Sequence, residues 1–306
     1  TPSELNGESR MFQRILLALL YSLVLASTQA AALDVVATSS SMGALVREVA
    51  GPRARLTVLA GPTRDLHALQ AKPTMMRALR GADLVVAIGA ELEVGWLPVA
   101  IRGAANPKIL PGTNGYFEAA AQVPLLDMGG AANRALGDVH PMGNPHVNMD
   151  PVRMATVARA LAERLALIES AGAGEYRRRA ESFADEVDRR MKSWRGKTRG
   201  APGVVLYHRD AIYLLERFGV PLLGTIEPIP GVPPTGRQIS TLTSDLKGRN
   251  GIIIHTPYQS SKAPKSLASS LGWRVVQLSM EPRRGVDGDG YLSHIGRWVD
   301  TIASAE

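Results

Sequence analysis

The sequence predicts an α/β fold: two Rossmann-like lobes, each on a parallel sheet, joined by a helical connector. Three observations carry this expectation. Short β-branched runs alternate with helical patterns through the first half of the chain, and the same alternation returns in the second half. Between them, from Asp150 to about Arg195, the chain has almost no β-branched runs and no glycine except Gly172 and Gly174. Strands alternating with helices in this way build βα units and parallel sheets.

In chain order, strands are predicted at Leu33–Thr38, Leu56–Leu59 and Leu84–Ile88, with helical stretches near Met42–Val49 and Thr74–Arg80. The connector opens on Asp150-Pro151, an N-cap followed by proline in the first turn. Val152, Ala155, Val157, Ala158, Leu161, Leu165 and Leu167 then recur at helical spacing. After the Gly172–Gly174 break, a second helix puts Tyr176, Phe183, Val187 and Met191 on one face. Further strands are expected at Gly203–His208, Pro221–Leu223, Gly251–His255 and Trp273–Leu278. Helices are expected at Asp210–Phe218, Gln238–Lys247, Ala263–Leu271 and Tyr291–Ile302. The predicted organisation is a leader over 1–32, a first lobe over 33–149, the connector over 150–196 and a second lobe over 197–306.

The leader is read from Arg14, the apolar run Ile15–Ala26 and the small residues Ala30–Ala32. This is the layout of a secretory signal peptide that starts at Met11 and is cleaved after Ala30 or Ala32, with residues 1–10 lying upstream of the natural initiator. The run is shorter than the ~20 residues that span a bilayer. A lipid anchor would need a cysteine and the chain has none, so an unanchored, periplasmic protein is expected.

Composition narrows the chemistry. The 306 residues are 45% hydrophobic and 21% charged, a globular balance that excludes disorder and fibres. Without cysteine there are no disulfides, thiol catalysis or sulfur-ligated metals, so any metal must be held by nitrogen and oxygen. The net charge of +7 suggests an acidic partner. Its only clusters, Arg177-Arg178-Arg179 and Arg189-Arg190 to Arg199, read instead as a solvated helix face, and 15 aromatic residues offer little surface for stacking bases. No nucleic-acid partner is expected.

Three of the six histidines fall at the ends of elements, where α/β folds gather ligands. His67 lies in Asp65-Leu66-His67, His146 in Asn144-Pro145-His146 ahead of Asp150-Pro151, and His208 follows Val204-Val205-Leu206-Tyr207. Three neutral imidazoles suit a tetrahedral zinc ion completed by a carboxylate or water. His255 and His294 read as structural. The proline-dense stretch Glu227–Gly236 reads as a rigid loop capped at Thr235, with Glu227 a lesser ligand candidate.

Segments across nearly the whole mature chain resemble the metal-binding periplasmic solute-binding proteins of zinc and manganese ABC importers (cluster A-I, zinc-uptake type). They are Val35–Thr38, Asp65-Leu66-His67, Gly81–Val86, Gly137-Asp138-Val139-His140-Pro141, Gly143–His146 with Asp150-Pro151, His208-Arg209-Asp210-Ala211 and Phe218-Gly219. The resemblance implies two α/β lobes joined by a long rigid helix, with a metal in the cleft between them. It places His67, His146 and His208 on the family's three histidine positions. Histidine rather than carboxylate at position 208 implies zinc as the transported ion. Glu281 stands near the position of the family's aspartate and is taken as fourth ligand, with Asp65, His140 and water as alternatives. The long His- and Asp-rich loop of many zinc members is missing.

The function so implied is capture of zinc and delivery to a membrane permease by a monomer, with a periplasmic metallochaperone as a further partner and no enzymatic activity. The competing readings are a manganese- or iron-binding member of the same class, a zinc-dependent hydrolase, a metal-dependent adhesin, and a sugar- or amino-acid-binding protein whose cleft would use Trp96, Tyr207 and Tyr258.

Overall fold

The structure, a computed structural model, describes residues 32–128, 140–227 and 231–305. The expected signal peptide, Gly137-Asp138-Val139 and Pro228-Ile229-Pro230 lie outside the described residues.

The first sheet is formed by β1 (Leu33–Ala37), β2 (Ala54–Val58), β3 (Leu84–Ala87) and β4 (Tyr116–Glu118), all parallel, in the order β2-β1-β3-β4. Helices α1 (Ser40–Ala50), α2 (Pro73–Arg80) and α3 (Leu97–Ala104) connect them. The second sheet repeats the scheme with β5 (Val204–Leu206), β6 (Leu222–Thr225), β7 (Ile252–His255) and β8 (Arg274–Gln277), in the order β6-β5-β7-β8. Its helices are α6 (Ile212–Phe218), α7 (Gly236–Leu246), α8 (Lys262–Leu271) and α9 (Gly288–Ala303). Between the sheets in sequence lie α4 (Pro151–Ile168) and α5 (Ala173–Thr198).

The first strand of each sheet is a buried run, Val35-Val36-Ala37 and Val204-Val205-Leu206, as parallel sheets covered on both faces require. One apolar core runs through both halves. The buried face of α5 (Tyr176, Phe183, Val187, Met191, Trp194) and that of α9 (Tyr291, Ile295, Trp298, Val299) meet there with α1. A smaller cluster, including Val205, Ile226, Leu246, Ile253 and Leu267, fills the other side of the second sheet.

Asp150 fixes the start of α4. It is fully buried, accepts from Val152 N at 2.9 Å, and takes Arg153 Nη1 at 2.6 Å. Arg217 of α6 joins it through Nε at 3.0 Å and Nη2 at 2.7 Å. The N-cap read from sequence therefore also binds the second sheet's first helix to the connector.

The sequence reading missed two elements. Strand β4 has three residues, below the length at which alternation can be seen. Helix α3 contains Pro98 and Gly103, which mask a helical pattern, yet Pro98 sits in the first turn where its missing N–H leaves no bond unmade. Strand β5 ends at Leu206, before Tyr207 and His208, so both belong to the loop at its carboxyl end.

Candidate metal centre

Because both sheets are parallel, the loops leaving their carboxyl ends gather at one edge of each. The loop after β2 carries Asp65 and His67. Its path is held by buried Trp96, whose indole Nε1 donates to Leu66 O at 2.9 Å. Trp96 is thus a brace behind His67 and not a cleft aromatic. His146 precedes the turn Val147–Met149 that leads into α4. Upstream, Gly143 sits at φ +121°, and a Cβ there would meet Leu125 Cβ at 2.8 Å, so only glycine brings the chain in on this path. His208 follows β5, with extended backbone ahead of a single turn over Arg209–Ala211.

These three histidines converge, and His140 joins them. Ring centroids lie 5.3 Å apart for His67 and His146, 5.9 Å for His146 and His208, and 6.2 Å for His67 and His208. His140 lies 5.1 Å from His67 and 6.4 Å from His146 by the same measure, and its Nε2 is 3.0 Å from His67 Nε2.

Two of the rings are oriented by the same local device. Asp65 Oδ1 accepts from both the backbone N and the ring Nδ1 of His67, each at 2.9 Å. Asn144 Oδ1 accepts from His146 N at 3.0 Å and from its Nδ1 at 2.9 Å. An acceptor two residues before the histidine therefore takes the Nδ1 proton and leaves Nε2 as the lone-pair nitrogen facing the cluster. The pattern is legible as Asp-Leu-His and Asn-Pro-His, and the orienting role of Asn144 was not read from it. His208 has no such residue. Its two ring nitrogens are buried, and neither has a hydrogen-bond partner among the described residues.

The electrostatics keep His146 and His208 neutral. Burial, and then the neighbouring His67, His208 and His140, hold His146 well below 6.5. Burial with His67 and His140 brings His208 down to about 3. Burial works to raise Asp65, but the hydrogen bond and charge of His67 outweigh it and hold the carboxyl below its usual value. Neutral imidazoles with inward lone pairs are the form that binds a metal ion. No three His, Asp or Glu side chains among the described residues already stand around a point at coordination distance.

Glu281, in the loop after β8, borders a cavity of about 20 Å³ together with Asp65, His67 and His146, room for one water-sized occupant. Its carboxylate accepts three hydrogen bonds. Ser41 N donates to Oε2 at 2.5 Å, and Ser41 Oγ and Asn148 Nδ2 each donate to Oε1 at 3.0 Å. Burial, partly offset by these bonds, raises it to about 7. A second cavity of about 190 Å³ lies against His67 and His208 and is lined also by Tyr207, Asp210, Glu227 and Tyr258. Tyr207 and Tyr258, the cleft aromatics of the competing organic-solute reading, thus line this cavity beside Asp210, which burial raises to about 7. His255 contacts Thr256 O through Nδ1 at 3.0 Å, and His294 is buried in α9 with Arg297 Nη2 donating to its Nδ1 at 3.0 Å.

A protein-family model described as zinc-uptake complex component A, periplasmic (ZnuA), matches residues 35–305. Among solved structures, one of ZnuA superposes with a TM-score of 0.74 at 20% identity, covering 90% of this chain and 99% of that one. The solute-binding protein FpvC of Pseudomonas aeruginosa, solved with Mn2+, gives a TM-score of 0.72 at 23% identity, covering 90% of this chain and 98% of that one. The periplasmic zinc-binding protein TroA of Treponema pallidum gives 0.72 at 20% identity, with coverages of 90% and 99%.

Proposed function

The chain belongs to the ZnuA family of periplasmic zinc-uptake components, and on that premise we propose that it captures zinc and hands it to an ABC-type membrane importer. His67, His146, His208 and Glu281 are the ligands in this reading. The protein is exported through the cleaved leader at its front, works unanchored as a monomer in the periplasm, and takes its ion from solution or from a metallochaperone. Among the described residues no helix is long and apolar enough to cross a membrane.

The observation that supports the reading most directly is His208. Burying a donor and an acceptor without partners costs about 1–3 kcal/mol each, and a bound cation is the occupant that gives such an imidazole a use. Nitrogen ligands favour zinc over manganese by their softness. A manganese- or iron-binding role is the second reading, supported by the related fold solved with Mn2+ and, in another crystal, with Ni2+.

Native mass spectrometry of the chelator-stripped protein, titrated with zinc and with manganese, tests both. One zinc per chain, lost in His67→Ala, His146→Ala and His208→Ala and not displaced by manganese, is the expected result. Preferential uptake of manganese would establish the second reading, and no stoichiometric metal would overturn both.

A further inference from the structure

We infer that Ser41 and Asn148 are positioning residues that make Glu281 a one-oxygen ligand, and that this restriction sets the preference of the site for zinc over manganese. The inference deepens the zinc reading and rests on it.

The first argument is a count of acceptor positions. A carboxylate offers about four, two on each oxygen. Ser41 Oγ and Asn148 Nδ2 each donate to Oε1 at 3.0 Å and fill both positions there. Oε2 accepts from the backbone N–H of Ser41, at 2.5 Å, which leaves its second position open. Glu281 borders the cavity that His67 and His146 also line, so a carboxylate with one open position stands beside two of the three imidazoles.

The second argument is that this arrangement is held in place. Ser39, Ser41, Asn148 and Glu281 are all more than nine-tenths buried, so water does not readily replace a bond that is broken. Ser39 caps α1 by accepting from Met42 N at 3.2 Å, and its hydroxyl stands 2.9 Å from Ser41 Oγ. Because Ser41 gives its own proton to Glu281, Ser39 is the donor of that pair, and the protons run in one direction, from Ser39 to Ser41 to Oε1. Ser41 also lies in the first turn of α1, where the free amides and the dipole favour a negative group. Asn148 belongs to the turn that directly follows His146, and its backbone O accepts from Tyr291 Oη at 2.8 Å, which anchors that turn to α9. Oε1 can therefore reach a cation only by leaving two buried donors without their acceptor.

The consequence is a donor count. Three imidazoles and one carboxylate oxygen make four donors, the number that tetrahedral zinc takes. Manganese favours octahedral sites rich in oxygen, and a carboxylate free to bind through both oxygens would offer it a fifth donor. Holding Oε1 away from the ion thus disfavours manganese more than zinc. Selectivity resides in Ser41 and Asn148, neither of which ligates the ion.

The experiment compares wild type, Ser41→Ala, Asn148→Ala and the double variant as full chains, each also in a Glu281→Gln background. Competitive titration gives the zinc and manganese affinities. Cobalt(II) loaded in place of zinc reports coordination number through its visible bands, which are intense for four ligands and weak for five or six. The expected result is a four-coordinate cobalt spectrum in wild type and weaker bands in the double variant. The zinc-to-manganese preference of the double variant should be lower on the order of tenfold, ~1.4 kcal/mol, with each single variant in between. In the Glu281→Gln background the same substitutions should leave the preference unchanged, because they act through the carboxylate. Ser41→Ala keeps the backbone amide and the helix, so it carries the test if Asn148→Ala does not fold. Variants that weaken both metals equally, with the cobalt bands unchanged, would make Ser41 and Asn148 packing residues and overturn the inference while the zinc reading stands. A five- or six-coordinate cobalt spectrum in wild type, or the same shift in preference without the Glu281 carboxylate, would do the same. A wild type that takes up no zinc would overturn both.

Discussion

Replacing His208 with leucine separates what this residue does for an ion from what it does to the fold. In the metal-free protein, leucine fills nearly the same volume and removes one donor and one acceptor that are buried without partners among the described residues. At about 1–3 kcal/mol for an unsatisfied buried group, less the strain of a changed shape, the metal-free variant should be more stable than wild type by roughly 1–3 kcal/mol. At ~2 °C per kcal/mol for a body of this size, that raises the melting temperature by roughly 2–6 °C. Zinc reverses the order. At a thousand times its Kd it stabilises wild type by about 4 kcal/mol; a hundredfold weaker site at the same concentration yields only about 1.4 kcal/mol. Differential scanning calorimetry with chelator and with excess zinc reads both quantities, with His294→Leu, away from the cluster, as control. A variant less stable without metal and still raised by zinc as far as wild type would refute the reasoning, because it would make His208 a packing residue.

Three further outcomes follow from the geometry. Asn144→Ala removes the acceptor that fixes the tautomer of His146 and should weaken zinc binding roughly 10–100-fold with the protein still folded, measured by competition with a chromophoric chelator; unchanged affinity would show that the ring needs no orienting partner. Asp150→Ala removes an N-cap and two guanidinium partners, so urea unfolding should show a loss of about 2–4 kcal/mol; the upper end is tempered because Arg153 and Arg217 are partly exposed and regain water. His294 is held down to about 4, first by burial and then by the Arg297 guanidinium. Since its folded value lies below 6.5, only the unfolded chain takes the proton between these limits, and stability falls as the pH falls from 6.5 toward 4. The stability of metal-free wild type relative to His294→Gln should therefore drop by roughly 3 kcal/mol between pH 7 and pH 4, and a pH-independent difference would contradict it.

How much of this was legible in the sequence depended on whether the signal was periodic. The buried strands Val35-Val36-Ala37 and Ile252-Ile253-Ile254 and the helices α4 and α5 declare themselves through runs and spacing, and the two α/β halves follow. Strand β4 is too short for a pattern, and α3 is broken by Pro98 and Gly103. The convergence of His67, His146 and His208 did not come from spacing, since 79 and 62 residues match no local motif; it came from their shared place at element ends and from the family resemblance. Trp96 could not be placed, because a tryptophan bracing a loop carbonyl and one lining a cleft look alike in one dimension. Glu281 shows the same limit, as its carboxylate type suits a ligand and only the structure shows Ser41 and Asn148 around it.

The bonds that cross between the two halves of the chain differ in exposure. Behind the cluster they are buried or half-buried: Glu281 on Ser41, Tyr291 Oη donating to Asn148 O at 2.8 Å, and Ser279 Oγ donating to Pro62 O at 2.6 Å. On the side of His208 the crossing includes Arg209 with Asp127, Nε and Nη2 each at 2.9 Å, with both side chains about two-fifths or more exposed. A buried bond must be broken without replacement by water, whereas an exposed ion pair contributes ~0–1 kcal/mol and exchanges freely. The His208 side also carries shielded crossings, Tyr213 Oη donating to Asn144 O at 2.6 Å and Asn144 Nδ2 donating to Arg209 O at 2.8 Å, so both sides tie the halves together and the exposed Arg209–Asp127 pair contributes least to that tie.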